Sequence, residues 1–325
     1  MCLANDMKIN HFDVLLDKET NKAYIGGEIL KGVIEIGVSE KVKVARLIIR
    51  LNGCIQTRWK NKISDIMYES NEQILNDFID LTRLLVEHCD ENYDLMNGLH
   101  RIRFQIPLPL DLISSIEKEN YGWVRYTCSA TIDVLDVEAK ELCAERNFTV
   151  HSLLNLDAPY MRESTSNKEE SEIYSCCFKK SIGMRSAEMV VADMGLLPGE
   201  TAHITLTLEN TSKRKLRRKH QNIPNNCCLI SLCQQLDFLA QNRYELHMFD
   251  RKSLTIVVES IVTCETSGEG FQTKHIDFPV PADLQPTSIK DNGLITISYF
   301  FKLDIDDFDV IVPIIIGSFK TPGPI

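Results

Sequence analysis

Apolar and polar residues alternate over many short stretches of this chain of 325 residues. In residues 101–106, Ile102, Phe104 and Ile106 fall on one face of an extended strand, and charged or polar residues fall on the other. Such alternation is typical of an antiparallel strand with one face in a core and one in water. The pattern recurs at residues 45–51, 204–208 and 295–301. Many short strands separated by turns predict an all-β protein built from sandwiches.

One stretch of the chain departs from this alternation. Between residues 63 and 88, Phe78, Leu81 and Leu85 lie three and four positions apart, which is the spacing of an apolar stripe on a helix. We therefore predict an amphipathic helix over about residues 70–88. Either this helix lies on the first sandwich, or it docks on a membrane or a partner; its acidic polar face disfavours an anionic lipid surface.

A turn-and-strand pattern occurs twice in the chain. The Gly-Glu pairs at 27–28 and 199–200 lie 172 residues apart, and an alternating strand follows each pair. The Pro-x-Pro segments at 107–109 and 279–281 have the same offset. Glycine and proline supply the turn conformations that both places need. The chain is therefore predicted to be a tandem of two related domains.

The boundary between the two domains is marked by composition. Residues 162–172 are polar and charged and have no apolar periodicity, as expected of a linker or a long loop. We predict an N-terminal domain at residues 1–158, a linker at 159–172 and a C-terminal domain at 173–325.

Composition narrows the class of protein. Apolar residues make up 44% and charged residues 25% of the chain, as in soluble globular proteins. The net charge of −10 argues against nucleic acid as a partner. We find neither a secretory signal pattern nor an apolar run long enough to span a bilayer, which favours the cytoplasm, including a peripheral position at the plasma membrane or endosomes. The eleven cysteines are expected to be free thiols rather than zinc ligands, since the chain has no C-x-x-C.

An ordered set of motifs in both halves resembles one family. The set consists of the turn and strand at 24–36, the segment at 95–109, the Leu-Pro-Gly-Glu turn at 197–200 and the closing strand at 311–317. Spread over residues 8–319, it resembles the arrestin-domain-containing proteins, and within them the alpha-arrestin branch. The resemblance implies two tandem arrestin-type, immunoglobulin-like antiparallel β-sandwiches, with the predicted helix in the first domain.

The resemblance also implies a function. Alpha-arrestins are cytosolic adaptors that link membrane receptors and transporters to ubiquitin ligases and endocytosis, so the expected partners are cytosolic segments of such membrane proteins. Members often recruit a ligase through P-P-x-Y motifs, and this sequence contains none. A ubiquitin ligase is therefore expected to bind indirectly, if at all. The alternative is an arrestin-fold subunit of a stable sorting complex, as in retromer.

A basic run at residues 213–219 is the strongest charge feature of this acidic chain. Clustered Lys and Arg attract anionic head groups, by about 1 kcal/mol each near a membrane surface. The run is therefore a candidate site for phosphoinositides or an acidic partner, and conventional arrestins bind inositol phosphates at a similar place on their second domain. The other interpretations are a solvated loop or strand face and a nuclear-import signal. The basic residues are Lys213, Arg214, Lys215, Arg217, Arg218 and Lys219.

Residues 153–157 match a clathrin-box pattern, L-φ-x-φ-D/E. Such a motif binds when it is flexible and exposed. This segment continues a strand that is predicted to close the first domain, so a structural role is favoured.

Catalytic signatures are absent from the sequence. It contains no G-x-S-x-G, no H-E-x-x-H, no P-loop and no G-x-G-x-x-G, and its eight histidines are scattered. No catalytic residue, cofactor or metal site is predicted, and we expect a protein that is not an enzyme. A thiol-dependent or metal enzyme is the remaining alternative.

Replacing Arg214, Arg217 and Arg218 with glutamine is expected to weaken binding to phosphoinositide vesicles, because three charges attracted to the head groups are removed. Three contributions of about 1 kcal/mol each correspond to a loss of affinity of about a hundredfold. Co-sedimentation at low salt measures the effect where screening is weak. Unchanged binding under that condition would remove the basic run as a lipid site.

Overall fold

Antiparallel strand pairing accounts for most of this computed structural model. The described residues are 8–19, 22–135, 140–174, 181–212, 227–264, 270–288, 293–305 and 308–321. The chain divides into unit 1, residues 1–153 with 239–250, and unit 2, residues 154–238 with 251–325. The predicted all-β class is confirmed.

Unit 1 is built from a small sheet and a large one. Its elements are β1 (Ile9–Leu16), β2 (Tyr24–Ile25), β3 (Ile29–Val38), β4 (Val42–Lys60), β5 (Met67–Asp80), α1 (Thr82–Val86), β6 (Asp94–Leu95), β7 (Gly98–Pro107), β8 (Ile116–Lys118), β9 (Gly122–Val134), β10 (Lys140–Phe148) and β11 (Val150–His151). The small sheet has the order β1-β3-β7, and the large sheet has the order β10-β9-β4-β5, with β6 beside β4 and β8 beside β9. Strands β2 and β11 form a short parallel pair.

Unit 2 also contains two principal sheets. Its elements are a 3₁₀ turn (Pro159–Arg162), β12 (Thr165–Tyr174), β13 (Ser181–Val191), β14 (Gly195–Leu196), β15 (Thr201–Asn210), β16 (Cys227–Gln241), β17 (Phe249–Cys264), β18 (Gly270–Pro279), β19 (Ile295–Asp304) and β20 (Asp309–Ile316). The sheets have the orders β12-β13-β15-β18 and β14-β20-β19-β16-β17. The end of β16 and the start of β17 belong to unit 1.

The alternation in the sequence separates core residues from surface residues. In β7, Ile102, Phe104 and Ile106 are buried, and the residues between them are exposed. In β15, Ile204 and Leu206 are buried in the same alternating way. Each such side chain contributes about 1.5–3 kcal/mol when it leaves water. In these two strands the expected face is therefore the face that the core uses, whereas at the start of the stretch at 45–51 Ala45 is exposed, beside a register shift between Val44 and Arg46.

The repeated Gly-Glu turn has the same construction in both units. In unit 1 the Glu28 carboxylate accepts a hydrogen bond from the Ile25 N–H at 2.9 Å, and the Glu28 N–H donates to the Ile25 carbonyl at 3.0 Å. In unit 2, Glu200 forms the same two bonds with Leu197, at 2.8 and 3.1 Å. The sequence repeat thus marks a shared turn. In it, the backbone N–H and the side-chain carboxylate of the glutamate both bond to the backbone of the residue three positions earlier.

The glycine before each glutamate has a left-handed conformation. The φ angle is 86° at Gly27 and 84° at Gly199, values that glycine adopts without strain. The Gly27 N–H donates to the Pro109 carbonyl at 3.1 Å, and the Gly199 N–H donates to the Val280 carbonyl at 3.1 Å. In each unit, therefore, the Gly-Glu turn is attached to the Pro-x-Pro segment that shares its offset.

A buried tyrosine has the same role in both units. The Tyr126 hydroxyl donates to the Ile113 carbonyl at 2.8 Å, and the Tyr299 hydroxyl donates to the Gln285 carbonyl at 2.8 Å. The Gln234 side chain also donates to the Tyr299 oxygen at 2.7 Å. Burial raises the pKa of both phenols, so they stay protonated and keep donating.

The helix of the first domain is shorter than predicted. One α-helix is present in the part of the chain that the structure describes, and it is α1, residues Thr82–Val86. The prediction of a helix over 70–88 was wrong in extent, because Met67–Asp80 form strand β5, paired along β4. Of the predicted apolar stripe, Leu81 and Leu85 are buried, whereas Phe78 is exposed on β5.

A β-bulge explains why the pattern in this stretch was misleading. In the β4–β5 ladder Gly53 pairs with Leu75, and Cys54 pairs with Gln73, so Ile74 is an extra residue. A bulge shifts the alternation by one position and leaves two apolar residues adjacent. The bulge interrupts the alternation that would have indicated a strand, whereas the Phe78–Leu81–Leu85 spacing only joins an exposed residue of β5 to two buried residues at α1.

Residues 159–172, predicted to be a linker, have regular structure. Pro159–Arg162 form the 3₁₀ turn, and β12 begins at Thr165 and pairs with β13. Within β12 only Ile173 is buried. A strand with so little buried surface carries no apolar periodicity, which is why its sequence is typical of a linker.

Replacing either turn glycine with alanine is expected to destabilise the protein, by about 1–2 kcal/mol from backbone strain alone. Gly27→Ala should cost more than Gly199→Ala, because an added Cβ would lie 2.6 Å from Leu110 Cδ2 at the first site and 3.8 Å from Ala282 Cβ at the second. Denaturant unfolding of both variants measures the difference. A Gly27→Ala protein as stable as the original chain would contradict this account.

Candidate functional site

The basic run at 213–219 lies outside the described residues. The structure therefore does not place Lys213, Arg214, Lys215, Arg217, Arg218 or Lys219, and their role as a lipid or acidic-partner site stays a prediction.

The clathrin-box pattern at 153–157 lies in ordered structure. Its fourth residue, Leu156, is 0% exposed, and the Leu156 N–H donates to the Phe319 carbonyl at 3.1 Å. The Leu154 N–H donates to the Ser318 side chain at 2.9 Å. A side chain this buried cannot enter a partner's groove, which agrees with a structural role for the segment.

Two loops of unit 1 form the candidate site. Loop A, residues 61–66, joins β4 to β5, and loop B, residues 242–248, joins β16 to β17. The loops meet because the Arg243 N–H of loop B donates to the Met67 carbonyl, at the start of β5, at 3.1 Å. An antiparallel bridge between Tyr68 and Asn242 lies beside this bond. Loops A and B together are termed the paired-loop surface.

The first residue of each loop fixes its shape. The Asn61 side-chain oxygen accepts hydrogen bonds from the backbone N–H groups two and three positions further on, at 2.9 and 3.3 Å. The Asn242 side-chain oxygen does the same in loop B, at 2.9 and 3.2 Å. Each asparagine N–H then closes its loop, on the Ile66 carbonyl at 2.9 Å and on the Met248 carbonyl at 2.8 Å. Asparagine favours such turns because its side chain imitates a backbone carbonyl.

Buried side chains of β4 and β5 hold the base of loop B. The Trp59 indole N–H donates to the Asp250 carboxylate at 2.9 Å, and the indole stacks on Tyr68 with 6.4 Å between ring centroids. The Thr57 hydroxyl donates to the Leu239 carbonyl at 2.7 Å. Thr57, Trp59 and Tyr68 are no more than 7% exposed. These bonds are shielded from water, so they hold the loop firmly.

The tips of the two loops present apolar side chains to solvent. Ile63 in loop A is 99% exposed, and Tyr244 and Leu246 in loop B are 80% and 67% exposed. Lys62 and Arg243 beside them are exposed, and neither forms an ion pair with a described residue. Apolar side chains next to free cations suit a partner with apolar and acidic groups.

Among the described residues, no group of three or more His, Cys, Asp or Glu side chains is arranged to hold a metal ion. The same part of the chain contains no helix that is long and apolar enough to cross a membrane.

The sequence by itself does not reveal this surface. Residues 60–65 are polar except for Ile63 and interrupt the alternation of β4 and β5, and Asn61 and Asn242 each follow an alternating strand. An asparagine at the end of a strand signals a turn, but it does not show that two turns far apart in the chain lie together. The hydrogen bond from the Arg243 N–H to the Met67 carbonyl shows that the two turns meet.

Comparison with known proteins defines the class. The family description "Arrestin (or S-antigen), N-terminal domain" matches residues 12–157, and "Arrestin (or S-antigen), C-terminal domain" matches residues 183–321. Both halves of the chain are therefore arrestin domains, each built as a β-sandwich.

Individual relatives agree with this class. The chain is 23% identical over 327 residues to arrestin domain-containing protein 17 of Caenorhabditis elegans, an alignment that covers 96% of this chain and 71% of that protein. It is 22% identical over 281 residues to arrestin domain-containing protein 15 of the same organism, covering 82% and 68%. The chain belongs to the arrestin-domain-containing proteins, and the resemblance of its motifs to that family is confirmed.

Asn242→Ala is expected to loosen loop B and to speed tryptic cleavage after Arg243. The Asn242 side chain is 2% exposed, so its loss leaves two N–H groups without their acceptor, at a cost of about 1–3 kcal/mol. Limited proteolysis of the native protein, followed by mass spectrometry, measures the rate. Asn242→Asp keeps the acceptor oxygen and is the matched control; equal cleavage of all three proteins would contradict the role given to Asn242.

Proposed function

We propose that this chain is an arrestin-like adaptor of the alpha-arrestin type that binds cytosolic segments of membrane receptors or transporters through its paired-loop surface. The observation that carries the proposal is the exposure of Ile63, Tyr244 and Leu246 on loops held in one shape by Asn61 and Asn242. Membership of the arrestin family supports the adaptor role.

Energetics favours a binding role for these tips. An apolar side chain gains about 1.5–3 kcal/mol when a partner removes it from water. Tyrosine is enriched among the residues that dominate interfaces. Loops A and B are ordered before binding, so little conformational entropy is lost on association. A few exposed side chains are then enough for a transient complex.

The adaptor is proposed to act in the cytoplasm, in endocytic or ubiquitin-dependent trafficking and the signalling that depends on it. Engagement of a ubiquitin ligase would be indirect, since the sequence has no P-P-x-Y. The alternative is a subunit of a stable sorting complex. Such a subunit differs from an adaptor because it stays in a large assembly of fixed stoichiometry. Native mass measurement from cells separates the two, because a constitutive large assembly favours the alternative.

The combined variant Ile63→Asp, Tyr244→Ala and Leu246→Ser is expected to lose most of its membrane-protein partners. Each lost contact is worth on the order of a tenfold change in affinity. Proximity labelling in cells, with quantification of the labelled receptors and transporters, measures recovery. Leu135→Ser changes an equally apolar side chain, 53% exposed and outside both loops, and is the matched control. If the triple variant and the Leu135→Ser control label the same membrane proteins equally, the paired-loop surface is not the binding site.

A further inference from the structure

Among the described residues, no strand pairs with the outer edge of strand β17 in unit 2. It is the last strand in the order β14-β20-β19-β16-β17, and it spans sixteen residues without proline or glycine. Between Ser253 and Cys264 its only charged residue is Glu259. Natural proteins usually protect such an edge with proline, bulges, charges or a short strand, because its free backbone groups pair readily with another strand. Those protections are sparse in β17.

The side chains of β17 are also incompletely covered. None of them from Arg251 to Thr263 is fully buried, and Val257 is 59% exposed. Near its end, the Thr263 side chain of β17 accepts a hydrogen bond from the Lys274 ammonium of β18 at 3.4 Å, much as β12 is joined to β20 by the bond from the Asn167 side chain to the Ile311 carbonyl at 3.1 Å. That bond lies at the end of β17, and in the described part of unit 2 the outer backbone edge of β17 has no strand beside it.

We propose that β17 pairs in antiparallel orientation with β17 of a second copy of this chain, around a twofold axis at Thr255. In this register Arg251 of each copy lies opposite Glu259 of the other, so the same ion pair forms twice. Thr255 lies opposite its own counterpart. On the other face Leu254 lies opposite Ile256, again twice by symmetry.

The alternation of side chains selects this register. Residues that oppose each other in a continuous sheet lie on the same face, so Glu259 can face only residues of its own alternating set. Within that set in β17, the one positively charged residue is Arg251. Other registers that keep the faces aligned place Glu259 opposite an uncharged residue or opposite itself, and like charges directly opposite are destabilising.

Association in this register does not break an existing ion pair. Neither Arg251 nor Glu259 forms an ion pair with another described residue of the chain. The Glu259 carboxylate accepts a hydrogen bond from the adjacent Ser260 N–H at 2.9 Å, and its side chain is exposed. New backbone hydrogen bonds between the strands and the burial of Leu254 and Ile256 add to the charge pairing. The proposal is independent of the paired-loop surface.

Sedimentation over a concentration series tests the proposal on the full chain. The original protein is expected to form a dimer. Glu259→Arg places like charges opposite each other at two positions, and it is expected to weaken the dimer on the order of tenfold or more. Adding Arg251→Glu to that variant exchanges the charges and should restore the dimer. Glu169→Arg makes the same charge change on exposed strand β12 and is the matched control.

Hydrogen exchange on the original chain gives a second measurement that needs no variant. The amides of residues 253–258 are expected to become more protected as the protein concentration rises. A chain that stays monomeric at every concentration overturns the proposal. So does a dimer that keeps its affinity in Glu259→Arg, or one that leaves these amides unprotected.

Discussion

The pairing of β4 with strands on both of its edges is the interaction on which unit 1 depends. This strand of nineteen residues bonds to β9 on one edge and to β5 on the other. Buried backbone groups need partners, so neither neighbour is optional. Near one end of β4, Leu47 bonds to the residues that begin α1, at 2.8 and 3.1 Å. At the other end β4 leads into loop A, and its Trp59 bonds to Asp250 at the base of loop B. The helix and the paired-loop surface both take their positions from this one strand.

Features that depend on near neighbours in the chain could be predicted from the sequence. The alternation of β7 and β15 and the two Gly-Glu turns are of this kind, since side-chain direction and turn geometry are set within a few residues. The extent of the helix could not be predicted, because the bulge at Ile74 is defined only by the strand that β5 pairs with. For the same reason β12 could not be distinguished from a linker: its partner β13, and not its own apolar content, makes it a strand.

The candidate site also combines features set by near neighbours in the chain with features set by distant partners. Its turns are local, but the meeting of loops A and B depends on a bond between residues far apart in the sequence. The basic run at 213–219 illustrates the opposite case, a strong local signal whose surroundings lie outside the described residues. Leu156 shows why motif matching alone is weak. The pattern around it fits a flexible peptide, and burial against residues near 318–319 decides its role.

The two asparagine turns separate the shape of a loop from its chemistry. Asn61 and Asn242 hold their loops by bonds to backbone N–H and carbonyl groups, so the side chains at the tips take no part in these bonds. Residues such as Ile63 and Tyr244 can therefore be exchanged during evolution at little cost to loop stability. Relatives built on this scaffold can diverge in what they recognise while keeping the same loop geometry, and low overall identity among them is then compatible with one shared way of presenting a binding surface.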